Sequence, residues 1–219
     1  MSINCSVYLV HYEPLLERLE FMTDQFCRLN IDSFKVISSE PPDSAVSADV
    51  EAVRKKLRYF HNNSPSCISK QEASLAWKHY EFIKLTSENS SGPSLVLEDD
   101  AILSDNFKEV VNHVLRDNVW DVVFLGSGCN LRKSGNGLIR VPHPASKCTD
   151  SYILTHSAAK KILSTLSFPI DLAIDWELNY QMMQHDLKVF WLEPPIVRQG
   201  SQDGTWYSSI NNKKENLFV

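Results

Sequence analysis

Residues 95–105 read LVLEDDAILSD, and the fold turns on how the first six of them are taken. Leu95-Val96-Leu97 is a short apolar run preceded by the turn formers SENSSGPS, and it reads as a buried strand. Glu98-Asp99-Asp100 follows without a break. In an extended segment Glu98 and Asp100 point to one side and Asp99 to the other. Three acids at the end of a buried strand are costly unless a cation compensates them. Two hard oxygen ligands one residue apart fit a shared divalent ion, directly or through water. In open α/β sheets, ligands gather at the carboxyl ends of strands. The tripeptide equally fits a solvated turn in which Asp99 or Asp100 caps a following helix.

Upstream, residues 5–12 (CSVYLVHY) are β-branched and aromatic, a first strand. Pro14 suits a first helical turn. Leu15, Leu19, Met22, Phe26 and Leu29 then recur on one helical face. Residues 34–37 read as a second strand, and this β-α-β opening favours a parallel sheet. Val50, Val53, Leu57 and Phe60 have helical spacing, which HNNSPS breaks. Ser69-Lys70-Gln71-Glu72 fits a capping box, opening a helix to about Leu85.

Downstream, Phe107, Val110, Val111, Val114 and Leu115 form another apolar face. Residues 121–125 (DVVFL) read as a strand. The polar stretch 126–149 is long enough to suggest a functional loop. Its Asn136-Gly137 turn signal suggests a hairpin pairing residues 131–133 with 138–141. Residues 152–155 read as a strand, Ser157 as the cap of a helix to about Leu166, residues 174–183 as a helix and 189–192 as a last strand. With no repeat and no linker, residues 1–219 read as a single α/β domain with a mixed, mostly parallel central sheet flanked by helices.

The balance of 22 basic and 27 acidic residues leaves a formal charge of -5. Such a chain lacks a global pull toward nucleic acid or anionic membranes. No run of about 18 apolar residues marks a membrane span, and the N-terminus lacks the charged and apolar regions of a signal peptide. The five cysteines are odd in number and include no CxxC pair. The expectation is free thiols in a reducing, cytoplasmic setting.

At this point LVLEDDAILSD resembles the LVLEDD segment of glycosyltransferase family 25, and further blocks occur in the same order. VYLVHYEPLLERLEFM resembles the N-terminal strand-and-arginine segment, with Arg18 at the arginine. ISKQEASLAWKH resembles a helix carrying Glu, Cys and Ser-His. Glu72 and His79 keep the ends of that pattern, while Ser74 and Lys78 depart from the Cys and the Ser. CTDSYILTHSAAKKIL, FPIDLAIDWEL and FWLEPPIVRQGS resemble the later blocks. The similarity runs from about Val7 to Ser209.

The resemblance implies a GT-A fold and transfer of galactose or glucose from a UDP-sugar, with inversion and with a divalent metal, Mn2+ or Mg2+. The acceptor would be a glycan, a lipid-linked sugar or a hydroxylated protein. Asp100 would be the principal metal ligand, with Glu98 as a second. Glu98 or Asp99 would contact the ribose or a metal-bound water. Val10, His11 and Tyr12 would cradle the uracil, Arg18 would reach the phosphates, His79 would help line the donor site, and Gln199 and Ser201 would complete it. Inversion needs a base near the acceptor hydroxyl. The motif offers Asp175 first, then Asp171 and Glu177, with Asp150 as a further candidate. A helix dipole at Asp175 is expected to keep that carboxylate ionised. Asp171 also fits a helix cap, and Glu177 a wet helix face. Arg132, Lys133 and Arg140 fit either a loop closing over the diphosphate or a solvated loop. Trp77 and Trp176 read as core, Trp206 and Tyr207 as acceptor platforms. A cytoplasmic bacterial or viral enzyme fits this picture. A non-catalytic module of the same fold and a metal-dependent phosphohydrolase or nucleotidyltransferase are the competing readings.

Overall fold

The computed structural model describes residues 2–45, 68–117, 119–166 and 169–207. The helix expected over Val50, Val53, Leu57 and Phe60 lies outside the described residues. Strand β1 (Ser6–Val10), helix α1 (Leu16–Arg28) and β2 (Lys35–Ile37) form the expected parallel unit. Helix α2 (Lys70–Glu88) opens on the capping box, with Ser69 Oγ accepting from the Glu72 amide and Glu72 accepting from the Ser69 amide. Strand β3 (Ser94–Glu98), β4 (Ala101–Leu103), helix α3 (Phe107–Val114) and β5 (Val122–Phe124) follow. Then come β6 (Gly137–Arg140), β7 (Ser151–Leu154), α4 (His156–Leu163), α5 (Ile174–Gln184), β8 (Val189–Glu193), β9 (Val197–Gln199) and a short turn of helix, α6 (Gly200–Asp203).

Seven strands form one sheet in the order β2-β1-β3-β7-β5-β8-β6. Five run in one direction, and β7 and β6 run against them. The sheet is thus mixed and mostly parallel, with helices on both faces. Strand alternation divides its side chains. Val7, Leu9, Leu95 and Leu97 pack with Met22 and Phe26 of α1 and Phe107 and Val111 of α3. Tyr8, Val10 and Val96 face the other way, onto Phe82 of α2, Ile162 of α4 and Met182 of α5. Full burial of a side chain of this size stabilises by about 1.5–3 kcal/mol, so these layers dominate the fold.

Three local expectations give way to tertiary structure. Strand β6 pairs antiparallel with β8, so residues 131–133 and 138–141 do not form a hairpin. Thr155 caps α4, its side chain accepting from the Ala158 amide, so Ser157 lies inside the helix. Helix α5 begins after Ala173 with no side-chain cap, so Asp171 is not its cap.

A separate two-stranded ribbon joins β4 to β9, with Ala101 opposite Gln199. Gln25, buried on α1, holds the free side of β4. Its Nε2 donates to Ala101 O at 2.8 Å, and its Oε1 accepts from the Leu103 amide at 2.7 Å. An internal amide thus supplies the bonds a missing strand neighbour would make. This fixes the chain just beyond Asp100.

Candidate active site

The acid run leaves the sheet at the carboxyl end of β3 and borders a cavity of about 750 Å³. Val10, His11, Tyr12, Arg18, Glu98, Asp99, Asp100, Asp175, Gln199 and Ser201 all line it. These residues come together from four separate stretches of the chain, 10–18, 98–100, 175 and 199–201.

The acids have different surroundings. Asp99 turns toward β1 and α1. It accepts from Arg18 Nη1 at 2.9 Å and from the Tyr12 amide at 3.0 Å, and lies 3.0 Å from His11 Nδ1. Burial works to raise its pKa, but His11, the Tyr12 amide and Arg18 outweigh it and hold the carboxyl below its ordinary value. Arg18 is therefore engaged with Asp99, and with the Tyr207 carbonyl. Its first role in this arrangement is to brace the β1 loop.

Asp100 is nearly buried, at 3% exposed, and among the described residues no cation forms an ion pair with it. Its Oδ2 accepts from the Ser201 amide at 3.2 Å, while Oδ1 has no partner. Burial, and then the Glu98 charge, push it up to about 6. Glu98 Oε1 accepts from Thr149 Oγ1 at 2.6 Å and lies 3.2 Å from His79 Nε2. Asp150 is completely buried beside them, with Oδ1 unpartnered. Burial and the charges of Glu98 and Asp100 raise it well above the ordinary carboxylate value. Its carboxylate lies where a side chain at residue 126 would begin. A Cβ on Gly126 would stand 1.9 Å from Asp150 Oδ2, so only glycine fits there.

The other candidates separate clearly. Asp175, in the first turn of α5, faces the cavity. Burial raises its pKa despite the Trp176 amide, so the expected lowering by the helix dipole does not prevail. Asp171, Glu177 and Asp150 are not among the residues lining the cavity. Glu177 is buried and accepts from Gln181 Nε2 at 2.8 Å, so it does not sit on a wet face. His79 is fully buried behind Glu98, with Nδ1 3.0 Å from Tyr152 Oη, and does not reach the cavity. Trp77 and Trp176 are only partly buried. Tyr207 lines the cavity, whereas Trp206 packs edge-on to Phe21 with Arg18 over its ring at 5.8 Å.

Arg132 and Lys133 do not close over the cavity. Arg132 Nε donates to Glu193 Oε2 at 2.7 Å, and the Lys133 amide to Oε1 at 3.1 Å. Lys147, wholly buried, donates to the same Oε1 at 3.0 Å and lies 5.0 Å from the Trp191 ring. Arg140 is exposed at the end of β6.

Cavity residues that sequence reasoning passed over include Thr149, Gln202, Glu40 and Lys78. Lys78 Nζ donates to Glu40 Oε1 and to Ser74 Oγ, both at 2.6 Å. The signal for this trio was present, because Ser74 and Lys78 are the two departures in the helix pattern and stand one turn apart.

For a cation, the observation that matters is a pair of buried oxygens without partners, Asp100 Oδ1 and Gln199 Oε1, both on cavity-lining residues. Hard oxygens in surplus negative charge fit a divalent ion. Among the described residues, no three His, Cys, Asp or Glu side chains form a group that would hold a metal unaided. The fit is to an ion sharing its coordination with a bound substrate.

Fold and site thus define an α/β protein whose ligand cavity opens at the carboxyl ends of parallel strands, over an acidic floor. The chain belongs to glycosyltransferase family 25, and is a glycosyltransferase: the family model, described as glycosyltransferase family 25 (LPS biosynthesis protein), matches residues 5–134. No curated protein matches it significantly. Among solved structures, the inositol-1-phosphate CTP transferase from T. maritima has a TM-score of 0.48 at 10% identity, covering 90% of this chain and 89% of its own. The apo-form glycosyltransferase GlyE of Streptococcus pneumoniae TIGR4 scores 0.47 at 12% identity, covering 87% of this chain and 45% of its own. A glycosyltransferase involved in glycosylating the major capsid of PBCV-1 scores 0.46 at 11%, covering 89% and 92%. Likenesses this distant assign no activity here. No helix among the described residues is long and apolar enough to cross a membrane.

Proposed function

We propose that this glycosyltransferase is a single GT-A domain that moves galactose or glucose from a UDP-sugar to an acceptor hydroxyl, with inversion and with Mn2+ or Mg2+. The observation that carries the reading is the cavity floor. Two unpartnered oxygens, on Asp100 and Gln199, sit in surplus negative charge at a strand end. An acidic pocket that takes an anionic diphosphate needs a cation between the two. Asp100 is the principal protein ligand, with Glu98 and Gln199 beside it. The ion, when bound, supplies neutralisation of the departing diphosphate.

The chain's own groups do the rest. His11 and Tyr12, braced by Asp99, hold the uridine at the end of β1. The Ser201 amide fixes the Asp100 carboxylate. Asp175 takes the proton from the acceptor hydroxyl as that oxygen attacks the anomeric carbon. A carboxylate raised by burial is the stronger base, which suits this task. Inversion follows if attack comes from the face opposite the diphosphate. The acceptor, a glycan, lipid-linked sugar or hydroxylated protein, enters past Tyr207 and the 126–149 loop.

The test is a screen of UDP-galactose, UDP-glucose and other nucleotide sugars for turnover, with and without Mn2+. The expected result is metal-dependent release of UDP. Asp175→Asn in the same assay should cut transfer about 10²-fold or more while UDP binding persists. Release of UMP would mean attack at phosphorus, and UDP-sugar binding without any turnover would mean a binding module. Either result ends the proposal.

A further inference from the structure

Outside the carboxylate site, the most informative cluster is a pair of thiols. Cys129 and Cys148 are 19 residues apart, yet their Sγ atoms stand 3.0 Å from each other. They bracket the long loop that carries Arg132, Lys133 and β6. Two features hold them together. Gly128 lets the two ends of the loop touch, since a Cβ there would lie 2.2 Å from Lys147 O and 2.6 Å from Cys148 Cβ. Gln202 bridges the pair, its Oε1 accepting from the Cys129 amide at 2.8 Å and its Nε2 reaching Cys148 Sγ at 3.6 Å. Cys129 is exposed, and Cys148 lines the cavity. The other described cysteines, Cys5 and Cys27, stand apart from this arrangement.

We infer that Cys129 and Cys148 form a redox-active dithiol site that a low-molecular-weight disulfide oxidises to an intramolecular cross-link, cinching the loop at the cavity rim. The exposed Cys129 thiolate attacks one sulfur of the disulfide R–S–S–R, and R–S⁻ leaves and takes up a proton. Cys148 then loses its proton and attacks the Cys129 sulfur, expelling the second R–S⁻. Two protein thiols are oxidised and one external disulfide is reduced to two thiols. Burial, then Cys129, raises the Cys148 pKa, so Cys129 is the first attacker and Cys148 the resolving group. The cross-link fixes the loop's return immediately before Thr149, the residue that donates to Glu98.

The experiment needs no nucleotide, so it stands apart from the transfer reading. The full chain is reduced, freed of reductant, incubated with glutathione disulfide, alkylated and digested with trypsin without reduction. The expected product is peptide 117–132 joined to peptide 148–160, with Cys27 carrying only a glutathione adduct. The oxidised chain should melt higher than the reduced one by roughly 10 °C, as closure of a loop of this length predicts. Cys129→Ser and Cys148→Ser should each lose both the linked peptide and the shift. A stable glutathione adduct on Cys129 with no linked peptide overturns the inference, and so does a link that leaves the melting temperature unchanged.

Discussion

Two buried acidic sites lie on the same edge of the sheet and are treated in opposite ways. Glu193, at the end of β8, is 1% exposed and meets Lys147, Arg132 and the Lys133 amide. Burial would raise its pKa, but these partners outweigh it and hold it below the ordinary value of 4.5. Asp100, just past the end of β3, accepts from the Ser201 amide and is pushed up instead, by burial and by the charges of Glu98 and Asp99. Lys147 and Arg132 bond Glu193 directly, whereas Arg18, whose charge also acts to lower Asp100, is bonded to Asp99. A buried acid already neutralised from within serves the fold. A buried acid left short of positive charge is held ready for something that brings its own.

The strongest way to break this contrast is Asp100→Ala. Turnover of the nucleotide sugar should fall at least about 10³-fold. The melting temperature should stay the same or rise, because a repelled charge has been removed. Near-normal turnover in a folded variant would remove the metal role from Asp100.

Lys147→Met attacks the other side and should do the reverse. Breaking one partner of a buried pair leaves a charge behind, at a cost of about 3 kcal/mol with Arg132 still in place. That corresponds to roughly 10 °C in Tm for a chain of this size. Activity per folded molecule should survive below the new transition. Loss of activity without loss of stability would mean that the pair serves catalysis.

The smallest effect is one of pH, measured as the stability difference between the wild type and Glu193→Gln. Glu193 has a lowered folded pKa, so the unfolded chain binds its proton more readily. Its stabilising contribution is complete above the ordinary value of 4.5 and is lost as pH falls through the lowered folded value. The two denaturation curves should therefore converge on acidification. A difference that does not change with pH would mean that packing, not charge, distinguishes the two proteins.

Much of the fold was legible because periodicity reports burial. Strands β1, β3, β5 and β8 are short β-rich runs between turn formers, and α1 shows its apolar face at Met22 and Phe26. The Ser69–Glu72 capping box was readable because all its parts lie within one turn. What escaped was set by partners distant in sequence. Strands β4 and β9 are three residues each and define one another across the chain. Asn136-Gly137 is a strong local signal that points β6 to its near neighbour, yet its partner is β8. At the site, the acid run at a strand end drew attention to Asp100, and the family resemblance to Asp175 and Gln199, all of which line the cavity. Type alone did not reveal that Arg18 is tied to Asp99 or that Arg132 and Lys147 are spent on Glu193. Nor did it bring together Cys129 and Cys148, since their meeting depends on a glycine contact and a glutamine bridge.

The closure of Asp100 by the far end of the chain also sets a timetable. The Gly200 amide donates to the Asp100 carbonyl at 2.8 Å, and the Ser201 amide to its carboxylate across 101 residues. At the ribosome, the acids of β3 are made long before the segment that covers them. A nascent chain that has reached residue 190 has its acids and most of its sheet, but lacks β9 and the Gln199 oxygen. The floor of the cavity is therefore complete only once residues 199–201 have been made.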